Sequence, residues 1–260
     1  MCKIITIANQ KGGVAKSTTA INLGIGLTRH GKKVLIIDND PQGSCTIALG
    51  YKEPDKIEIT LAKIMERVLN EEEFDLTDGI LHNDEGVDLL PANIQLAGVE
   101  TSLIGIMSSE TVLQEYIEFI KDRYDYIIVD CSPNLGQLTL NALTSADYVI
   151  IPVQAAYLAL KGLEQLLKTI SRVKKKMNPG LEIMGILLTM VDYRTNYAKD
   201  TTDALFSKYG NNVHIFSNSI PLSVRAAETS AEGVSIFVHD GSGKVAKAYE
   251  ALTEEVLVNE

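Results

Sequence analysis

The sequence predicts an α/β fold: a doubly wound, mostly parallel sheet with helices on both faces. Apolar runs of a strand's length alternate with helix-like segments, which is typical of parallel strands joined by crossover helices. Polar and acidic residues directly follow several of these runs, where the carboxyl ends of parallel strands would meet at one edge. The chain has no repeat, low-complexity tract or Gly/Ser-rich linker, so we interpret residues 1–260 as a single domain.

The first strand and helix surround a glycine-containing loop. The apolar run Lys3–Ala8 leads into the stretch Asn9–Thr18, and a helical pattern starts near Lys16. A strand, a glycine turn and a helix N-terminus in this order make backbone N–H groups converge where the helix dipole favours negative charge. The pattern predicts a nucleoside triphosphate site, with Lys16 on the outer phosphates and the Ser17 hydroxyl on Mg²⁺.

This loop departs from the usual pattern G-x-x-x-x-G-K-[ST], because Lys11 and Ala15 stand at its two glycine positions. Its sequence K-G-G-V-A-K-S resembles the deviant Walker A loop of the ParA/MinD ATPases, K-G-G-x-x-K-[ST]. The resemblance implies that Lys11 reaches across a dimer interface to the phosphates of the other subunit's nucleotide. It also implies nucleotide contacts from the rest of the loop, namely Gly12, Gly13, Val14, Ala15, Lys16, Ser17 and Thr18. A chance Gly-Gly turn with solvated lysines is the alternative.

A second buried strand, Lys33–Ile37, ends in the sequence D-N-D-P-Q-G of residues 38–43. Carboxylates at the carboxyl end of a parallel strand lie where open α/β sheets bind their ligands. The segment resembles switch I of the ParA family, which implies that Asp40 positions the attacking water and that Asp38 has a lesser role near the metal. An Asx-type turn, built on Pro41 and Gly43, is the alternative.

The middle of the chain is predicted from periodicity and apolar runs. We expect a short amphipathic helix over 61–69 and a solvated acidic loop over 70–73. A strand over 87–92 follows, and its Pro-Ala ending resembles the family at this place. Helical segments are then predicted over about 94–106 and 110–122.

Residues 124–130, Y-D-Y-I-I-V-D, place an aspartate directly after four apolar residues. This is the Walker B arrangement, in which Asp130 would hold Mg²⁺ directly or through a coordinated water. The following C-S-P-N-L-G resembles the family's switch II, commonly D-x-P-P-S-L-G, with Ser132 and Asn134 as departures. A loop that senses the γ-phosphate is therefore predicted, and a structural strand-to-helix turn is the alternative.

Strands are also predicted over 148–154 and 181–191, joined by a helix over about 158–177. The end of this helix carries the densest basic cluster of the chain, consisting of Arg172, Lys174, Lys175 and Lys176. A solvated helix end that complements the dipole would explain the cluster, and so would one wall of a surface for DNA phosphates.

Two later segments, T-M-V-D-Y-R-T-N at 189–196 and I-P-L-S-V-R at 220–225, resemble T-M-x-D-x-R-T-N and I-P-R-N-V-R of small Soj-like ParA proteins. The resemblance implies that three residues lie near the adenine: Met190, Pro221 and Ser223. It also implies that Arg194 and Arg225 belong to a non-specific DNA surface. Leu222 and Val234 replace basic residues of the family pattern, which weakens that surface or shifts it to the basic cluster and Lys199.

Composition limits the class of protein. A net charge of −10 and a pI near 5.0 argue against a chain that is basic overall and coats nucleic acid. The cysteines, Cys2, Cys45 and Cys131, form no C-x-x-C pair, so we expect no zinc or iron–sulfur site and a reduced cytoplasmic setting.

No signal segment and no apolar run of roughly 18 residues occurs, and the last helix, about 243–256, ends in acidic residues. A soluble protein without membrane contact is expected.

The resemblance covers residues 3 to about 236 and implies a DNA-partition ATPase with the cofactors ATP and Mg²⁺. Mg-ATP would drive homodimerisation and non-specific DNA binding, and slow hydrolysis stimulated by a ParB-type partner would reset the dimer. The protein would be cytoplasmic, and associated with the nucleoid when ATP-bound. A MinD-like positioning ATPase that uses a membrane is one alternative. A nucleotide-gated binding module with little hydrolysis is another, because the Cβ of Ala15 would strain the loop.

Overall fold

The computed structural model describes residues 1–155 and 157–258, with side chains at all of these except 157–161 and 196–197. The strands are β1 Lys3–Ile7, β2 Val34–Asn39, β3 Leu81–His82, β4 Asp88–Leu90, β5 Tyr126–Cys131, β6 Tyr148–Gln154 and β7 Glu182–Thr189. They form one sheet in the order β3-β4-β2-β5-β1-β6-β7, in which only the β3–β4 pair is antiparallel. The predicted fold class is confirmed.

Helices connect these strands. Those of the described residues are α1 Lys16–Arg29, α2 Ser44–Ala48, α3 Leu61–Leu69, α4 Gln95–Ser102, α5 Val112–Ile120, α6 Gln137–Ser145, α7 Tyr157–Lys176, α8 Asn196–Tyr209, α9 Val224–Glu232, α10 Ile236–His239 and α11 Lys244–Val258. None of the helices in this part of the chain is both long enough and apolar enough to cross a bilayer. Treating 1–260 as a single domain stays a prediction.

The sheet separates two apolar layers, as expected for strands that are buried on both faces. On β5, Ile127 and Val129 pack into the layer that holds the apolar residues of α3, α5 and α7. The intervening Ile128 packs into the opposite layer with Leu23 of α1 and Leu252 of α11. This alternation follows from the two-residue period of a strand and puts helices on both faces.

The strongly periodic elements match their predictions, and the short ones do not. The predicted helix over 61–69 is α3, and the predicted strand over 87–92 is reduced to β4. The helix predicted over 94–106 ends at Ser102, because Gly105 (φ +88°) and Ser108 (φ +58°) adopt left-handed backbone conformations. The two-residue β3 is not predicted from the sequence, and neither are the helices α2, α6, α8, α9 and α10.

The segment from 214 to 221 follows β7 on the outer side of the sheet. Its backbone forms isolated parallel bridges that pair Ile215 with Ile186 and Pro221 with Val191. The segment therefore runs in the direction of β7 and brings Pro221 to the carboxyl edge of the sheet. Residues far apart in sequence meet at this edge.

Helices α1 and α11 pack closely at Gly26. A Cβ at this position would overlap the hydroxyl of Thr253 and lie 3.2 Å from the Thr253 Cβ. We predict that Gly26→Ala lowers the free energy of unfolding by about 1–3 kcal/mol through overpacking. Urea denaturation measures the change. The matched control is Gly98→Ala in α4, where a Cβ meets no atom within 4 Å. It should gain about 0.5–1 kcal/mol; equal effects of the two substitutions would contradict the close packing.

Candidate nucleotide site

Three strand ends meet at the carboxyl edge of the sheet. The register pairs Asp130 of β5 with Ile7 of β1 on one side and with Asp38 of β2 on the other. The loops that follow these strands therefore emerge side by side, which is where open α/β sheets bind ligands. They border a cavity of about 510 Å³.

The cavity brings together most of the predicted nucleotide contacts. Its lining includes Gly12, Gly13, Ala15, Lys16, Ser17, Thr18, Asp40, Met190, Pro221 and Ser223. Four other predicted site residues are not among the lining: Lys11, Val14, Asp38 and Asp130. The late segments thus share a cavity with the phosphate loop, and their contact with an adenine stays a prediction.

The phosphate loop is held by hydrogen bonds that the sequence analysis did not predict. The Asn9 side-chain amide donates to the Pro152 carbonyl at 2.6 Å and accepts from the Lys11 N–H at 3.0 Å. The Thr189 hydroxyl at the end of β7 donates to the carbonyl of the buried Val14 at 3.0 Å. The loop is therefore fastened to β6 and β7.

Ala15 adopts a left-handed conformation, with φ +64° and ψ +35°, immediately before α1. This conformation brings the side chain of an L-residue too close to the following carbonyl, which costs roughly 1–2 kcal/mol. Ala15 also lines the cavity. The strain that the sequence suggested at this position is therefore present in the backbone.

Lys16 is buried, and its Nζ donates to the Lys11 carbonyl at 3.3 Å. Burial lowers the pKa of the Lys16 ammonium, and the negative charges of Asp130 and Asp40 oppose this shift. A desolvated cation at the floor of a phosphate loop gains from an anionic ligand, because the ligand compensates the cost of burial.

Asp130 is fully buried, and neither of its carboxylate oxygens has a hydrogen-bond partner among the described residues. Burial, and then the charge of Asp38, raise the pKa of Asp130 well above its ordinary value, while the Ser17 hydroxyl and the Lys16 ammonium lower it. An unpartnered buried carboxylate close to a hydroxyl suits a hard cation with oxygen ligands. Within the part of the chain that the structure describes, no three His, Cys, Asp or Glu residues form a metal cage. This donor set fits Mg²⁺, which is usually held by one or two protein ligands with phosphates and water.

Asp38 has a different environment. Its Oδ2 accepts from the Thr46 N–H and the Thr46 hydroxyl, both at 2.7 Å, and its Oδ1 accepts from the Asp40 N–H at 3.2 Å. Burial raises the pKa of Asp38 to about 6, and these hydrogen bonds act in the opposite direction. Because protein donors occupy both oxygens, the geometry gives no support to the predicted role of Asp38 near the metal. Asp38 instead fastens α2 to the end of β2.

Asp40, two residues later, lies at the cavity wall. Its Oδ1 accepts from the Gln42 N–H at 3.0 Å, which fixes the turn. Asp38 thus holds the start of α2 against the end of β2, and Asp40 lines the cavity. A carboxylate in this place can orient a water molecule toward a bound phosphate.

The predicted switch II loop, residues 131–136, connects β5 to α6. The Asn134 side-chain oxygen accepts from the Gly136 N–H at 2.9 Å and from the Ser132 hydroxyl at 3.2 Å, while the Asn134 carbonyl accepts from Thr139 at 2.9 Å. An Asx turn therefore leads into α6 from Asn134, which stands where the family pattern has serine. Pro133 lines the cavity, so this loop contacts the candidate ligand volume.

The predicted basic residues are spread over the two ends of β7. The side chains of Arg172, Lys174, Lys175 and Lys176 are exposed at the end of α7, where Lys174 lies beside Glu182 at the start of β7. Arg194 and Lys199 follow the other end of β7, and Arg225 is the second residue of α9, next to the cavity-lining Ala226. The eight residues of β7 span roughly 25 Å. The α7 cluster and Lys199 are therefore separated along β7, and their joint part in a DNA surface stays a prediction.

The two arginines near the cavity are paired with acids. Arg194 Nε and Nη2 each lie 2.8 Å from a carboxylate oxygen of Asp192, and Arg225 Nη1 lies 3.5 Å from Glu228. These exposed pairs are weak in water, so the arginines remain available to another anion.

The fold and this site define a nucleotide-binding P-loop protein of the deviant Walker A type. A family model described as an AAA domain matches residues 2–183. The sporulation initiation inhibitor protein Soj of Bacillus subtilis is 43% identical over 260 residues, covering 100% of both chains. The chain belongs to the ParA/MinD family of deviant Walker A ATPases and is Soj-like.

Solved structures agree with this assignment. A putative plasmid partition protein of Borrelia burgdorferi bound to AMPPNP has a TM-score of 0.80 and 30% identity, covering 100% of both chains. A cobyrinic acid a,c-diamide synthase of Mycobacterium smegmatis, bound to an ATP analogue and magnesium, has a TM-score of 0.86 and 35% identity, covering 99% of this chain and 95% of that one.

We predict that Ala15→Gly raises the free energy of unfolding by about 0.5–1 kcal/mol. Release of roughly 1–2 kcal/mol of left-handed strain outweighs the roughly 0.5–1 kcal/mol that glycine costs through its unfolded state. Ala97→Gly within α4 is the control and should lose about 0.5–1 kcal/mol, because its helical backbone is unstrained. Urea denaturation of both variants measures the changes, and a loss at both positions would contradict the strain.

Replacement of Thr46 should lower the free energy of unfolding by an amount that depends on pH. Thr46→Val removes the hydroxyl that donates to Asp38 and accepts from the Ala92 N–H at 3.1 Å. We expect a loss of roughly 2–4 kcal/mol in unfolding free energy. The loss should be larger at pH 8 than at pH 5, because the donor stabilises the ionised form of a carboxyl whose folded pKa is about 6. Thr46→Ser keeps the hydroxyl and should lose only about 1 kcal/mol. A Val variant with the same loss at both pH values would contradict this account.

Proposed function

We propose that this protein is a DNA-partition ATPase that dimerises when it binds Mg-ATP. The observation that carries the proposal is the orphaned carboxylate of Asp130, buried beneath a phosphate loop whose lysine, Lys16, is also buried. A magnesium–triphosphate pair would supply a cation to the unpartnered oxygens of Asp130 and anionic oxygens to the buried ammonium of Lys16. The similarity to Soj supports partition as the purpose of the nucleotide switch.

The mechanism assigns each side chain a part in positioning or electrostatics. Lys16 and the loop amides hold the β- and γ-phosphates, and Ser17 with Asp130 would hold Mg²⁺, directly or through water. Mg²⁺, when bound, neutralises charge that develops on the phosphate oxygens. Asp40 orients the water for in-line attack. Because the protein contributes mainly positioning, intrinsic hydrolysis is slow.

Lys11 acts on the nucleotide of the second subunit. In support, the partly exposed Lys11 is not among the residues that line the cavity of its own chain, although its carbonyl accepts from Lys16. A lysine of the phosphate loop that does not line its own cavity can reach the nucleotide of a second subunit. ATP would thus complete two sites at once and hold the homodimer together.

Partition requires DNA and a second protein. Arg194, Lys199 and Arg225 lie at the nucleotide edge, so dimerisation can change how they are presented to DNA phosphates. A ParB-type partner stimulates hydrolysis and releases the dimer, and the ATP form associates with the nucleoid in the cytoplasm. A MinD-like ATPase would instead pellet with liposomes and not with DNA. A nucleotide-gated module would show no partner-stimulated phosphate release that depends on Asp40.

The test combines sizing with hydrolysis. We expect a dimer with ATP and Mg²⁺ and a monomer with ADP, by light scattering. Lys11→Ala should remain monomeric with ATP, and Asp40→Ala should dimerise but lose on the order of 100-fold in hydrolysis rate. The exposed controls Lys33→Ala and Asp55→Ala should match the parent in both assays. A parent that stays monomeric with ATP, or a Lys11→Ala dimer of unchanged strength, would disprove the mechanism.

A further inference from the structure

His239, the last residue of the short helix α10, lies between two carboxylates of α9. Its Nε2 is 3.0 Å from Glu228 Oε2, and its Nδ1 is 2.8 Å from Glu232 Oε2. The two glutamates are four residues apart and therefore share one side of α9. The His239 side chain is only 8% exposed, whereas both glutamates are exposed. The imidazole is thus held in place through both of its nitrogens.

This geometry requires a protonated His239. An ionised carboxylate only accepts hydrogen bonds, and a neutral imidazole has one N–H and one bare nitrogen. Only the imidazolium, with two N–H donors, can satisfy a carboxylate on each side of the ring. The hydrogen bonds to Glu232 and to Glu228 accordingly raise the pKa of His239 above its ordinary value. Loss of the proton would leave a bare nitrogen facing a carboxylate.

One of the two carboxylates is shared with Arg225. The same atom, Glu228 Oε2, is the partner of His239 Nε2 and lies 3.5 Å from Arg225 Nη1. Arg225 is the second residue of α9, and the residues that follow it, Ala226 and Ala227, line the nucleotide cavity. The charge of Glu228 is therefore divided between two cations when His239 is protonated, and it is left to Arg225 when His239 is neutral.

Helix α10 is anchored independently of α9. The Ser235 amide donates to Glu85 at 2.7 Å, and the Ile236 amide donates to Asn22 at 2.9 Å. These bonds tie the start of α10 to the turn between β3 and β4 and to α1. His239 therefore approaches α9 from a fixed support.

The other charged side chains around α10 are engaged elsewhere or exposed. Lys52 donates to a backbone carbonyl of α9 at 2.9 Å, and the Arg29 guanidinium lies 4.7 Å from the centre of the Phe237 ring. Asp240, which follows His239, adds a negative charge that favours the imidazolium. The lysines at the start of α11 are exposed, namely Lys244 and Lys247. Among the described residues, the hydrogen-bond partners of the imidazole are therefore the two glutamates of α9.

We propose that His239 is a positioning residue that controls how strongly Arg225 is offered to a DNA phosphate. When the imidazolium balances Glu228, Arg225 can leave that carboxylate for a phosphate. When the imidazole is neutral, the cluster carries one more negative charge, Glu228 holds Arg225, and a phosphate is repelled. The ATP form therefore binds DNA more strongly below the pH at which His239 loses its proton. The effect on DNA rests on the proposed function, whereas the protonated bridge does not.

The test is the affinity of the ATP form for a short DNA duplex at pH 6 and at pH 9, measured by fluorescence anisotropy at constant ionic strength. The parent should bind roughly two- to fivefold more weakly at pH 9, the range expected for one exposed ion pair. His239→Gln has no charge to lose and should show the weaker affinity at both pH values. Glu228→Gln frees Arg225 and should bind at both pH values at least as tightly as the parent does at pH 6.

These opposite effects exclude a general loss of structure, which would weaken DNA binding in both variants. The matched control is His214→Gln, because the one carboxylate hydrogen bond of the His214 ring is to Glu255, at 3.0 Å, on α11. This control should keep the parental dependence on pH.

An NMR titration tests the bridge without DNA. The ring signals of His239, assigned by their absence from His239→Gln, should titrate with a midpoint above the roughly 6.5 of an unstructured histidine. The midpoint should fall in Glu232→Gln, which removes one of the two acceptors.

The outcomes separate the two proposals. An NMR midpoint at or below the ordinary value would overturn the bridge. The same pH dependence of DNA affinity in the parent and His239→Gln, or weaker DNA binding by Glu228→Gln, would overturn the control of Arg225. A parent that binds no DNA with ATP at either pH, but has the raised midpoint, would contradict the DNA part of both proposals and support the bridge alone.

Discussion

The site depends on burying two carboxylates next to each other. Asp38 and Asp130 are paired across neighbouring strands and fully buried, and the charge of Asp38 makes ionisation of Asp130 more costly. The protein itself stabilises one of the two carboxylates, because Thr46 and the Asp40 amide donate hydrogen bonds to Asp38. It leaves Asp130 without a hydrogen bond from the described residues. A bound cation completes the arrangement, and its binding energy also stabilises the fold.

Much of this arrangement follows from local sequence. Asp130 directly follows an apolar run, Asp40 is the third residue after one, and Lys16 and Ser17 end the loop that follows the first run. Parallel strands must bring the loops that follow them to one edge, so the pattern alone predicts the proximity of these residues. Met190, Pro221 and Ser223 were placed by resemblance only, and the bridged segment beside β7 explains why they reach the same cavity.

Other features could not be predicted because they depend on contacts distant in sequence. The anchors of the phosphate loop come from Asn9 and Thr189, and nothing in their local sequence marks these partners. The role of Asp38 depends on Thr46, which belongs to a five-residue helix too short to show a period. The basic cluster at the end of α7 is close in sequence to Arg194, but an entire strand separates them in space. Charge counting cannot detect that separation.

The two edges of the sheet have a consequence for handling the protein. At one edge β3 has only two residues, and at the other the segment 214–221 covers β7 with isolated bridges and ends in Pro221. In the part of the chain that the structure describes, neither edge offers a long, flat row of free amides on which another chain could extend the sheet. Fibril-type growth is thereby discouraged. The protein can be concentrated while self-association remains under the control of side chains and bound ligands.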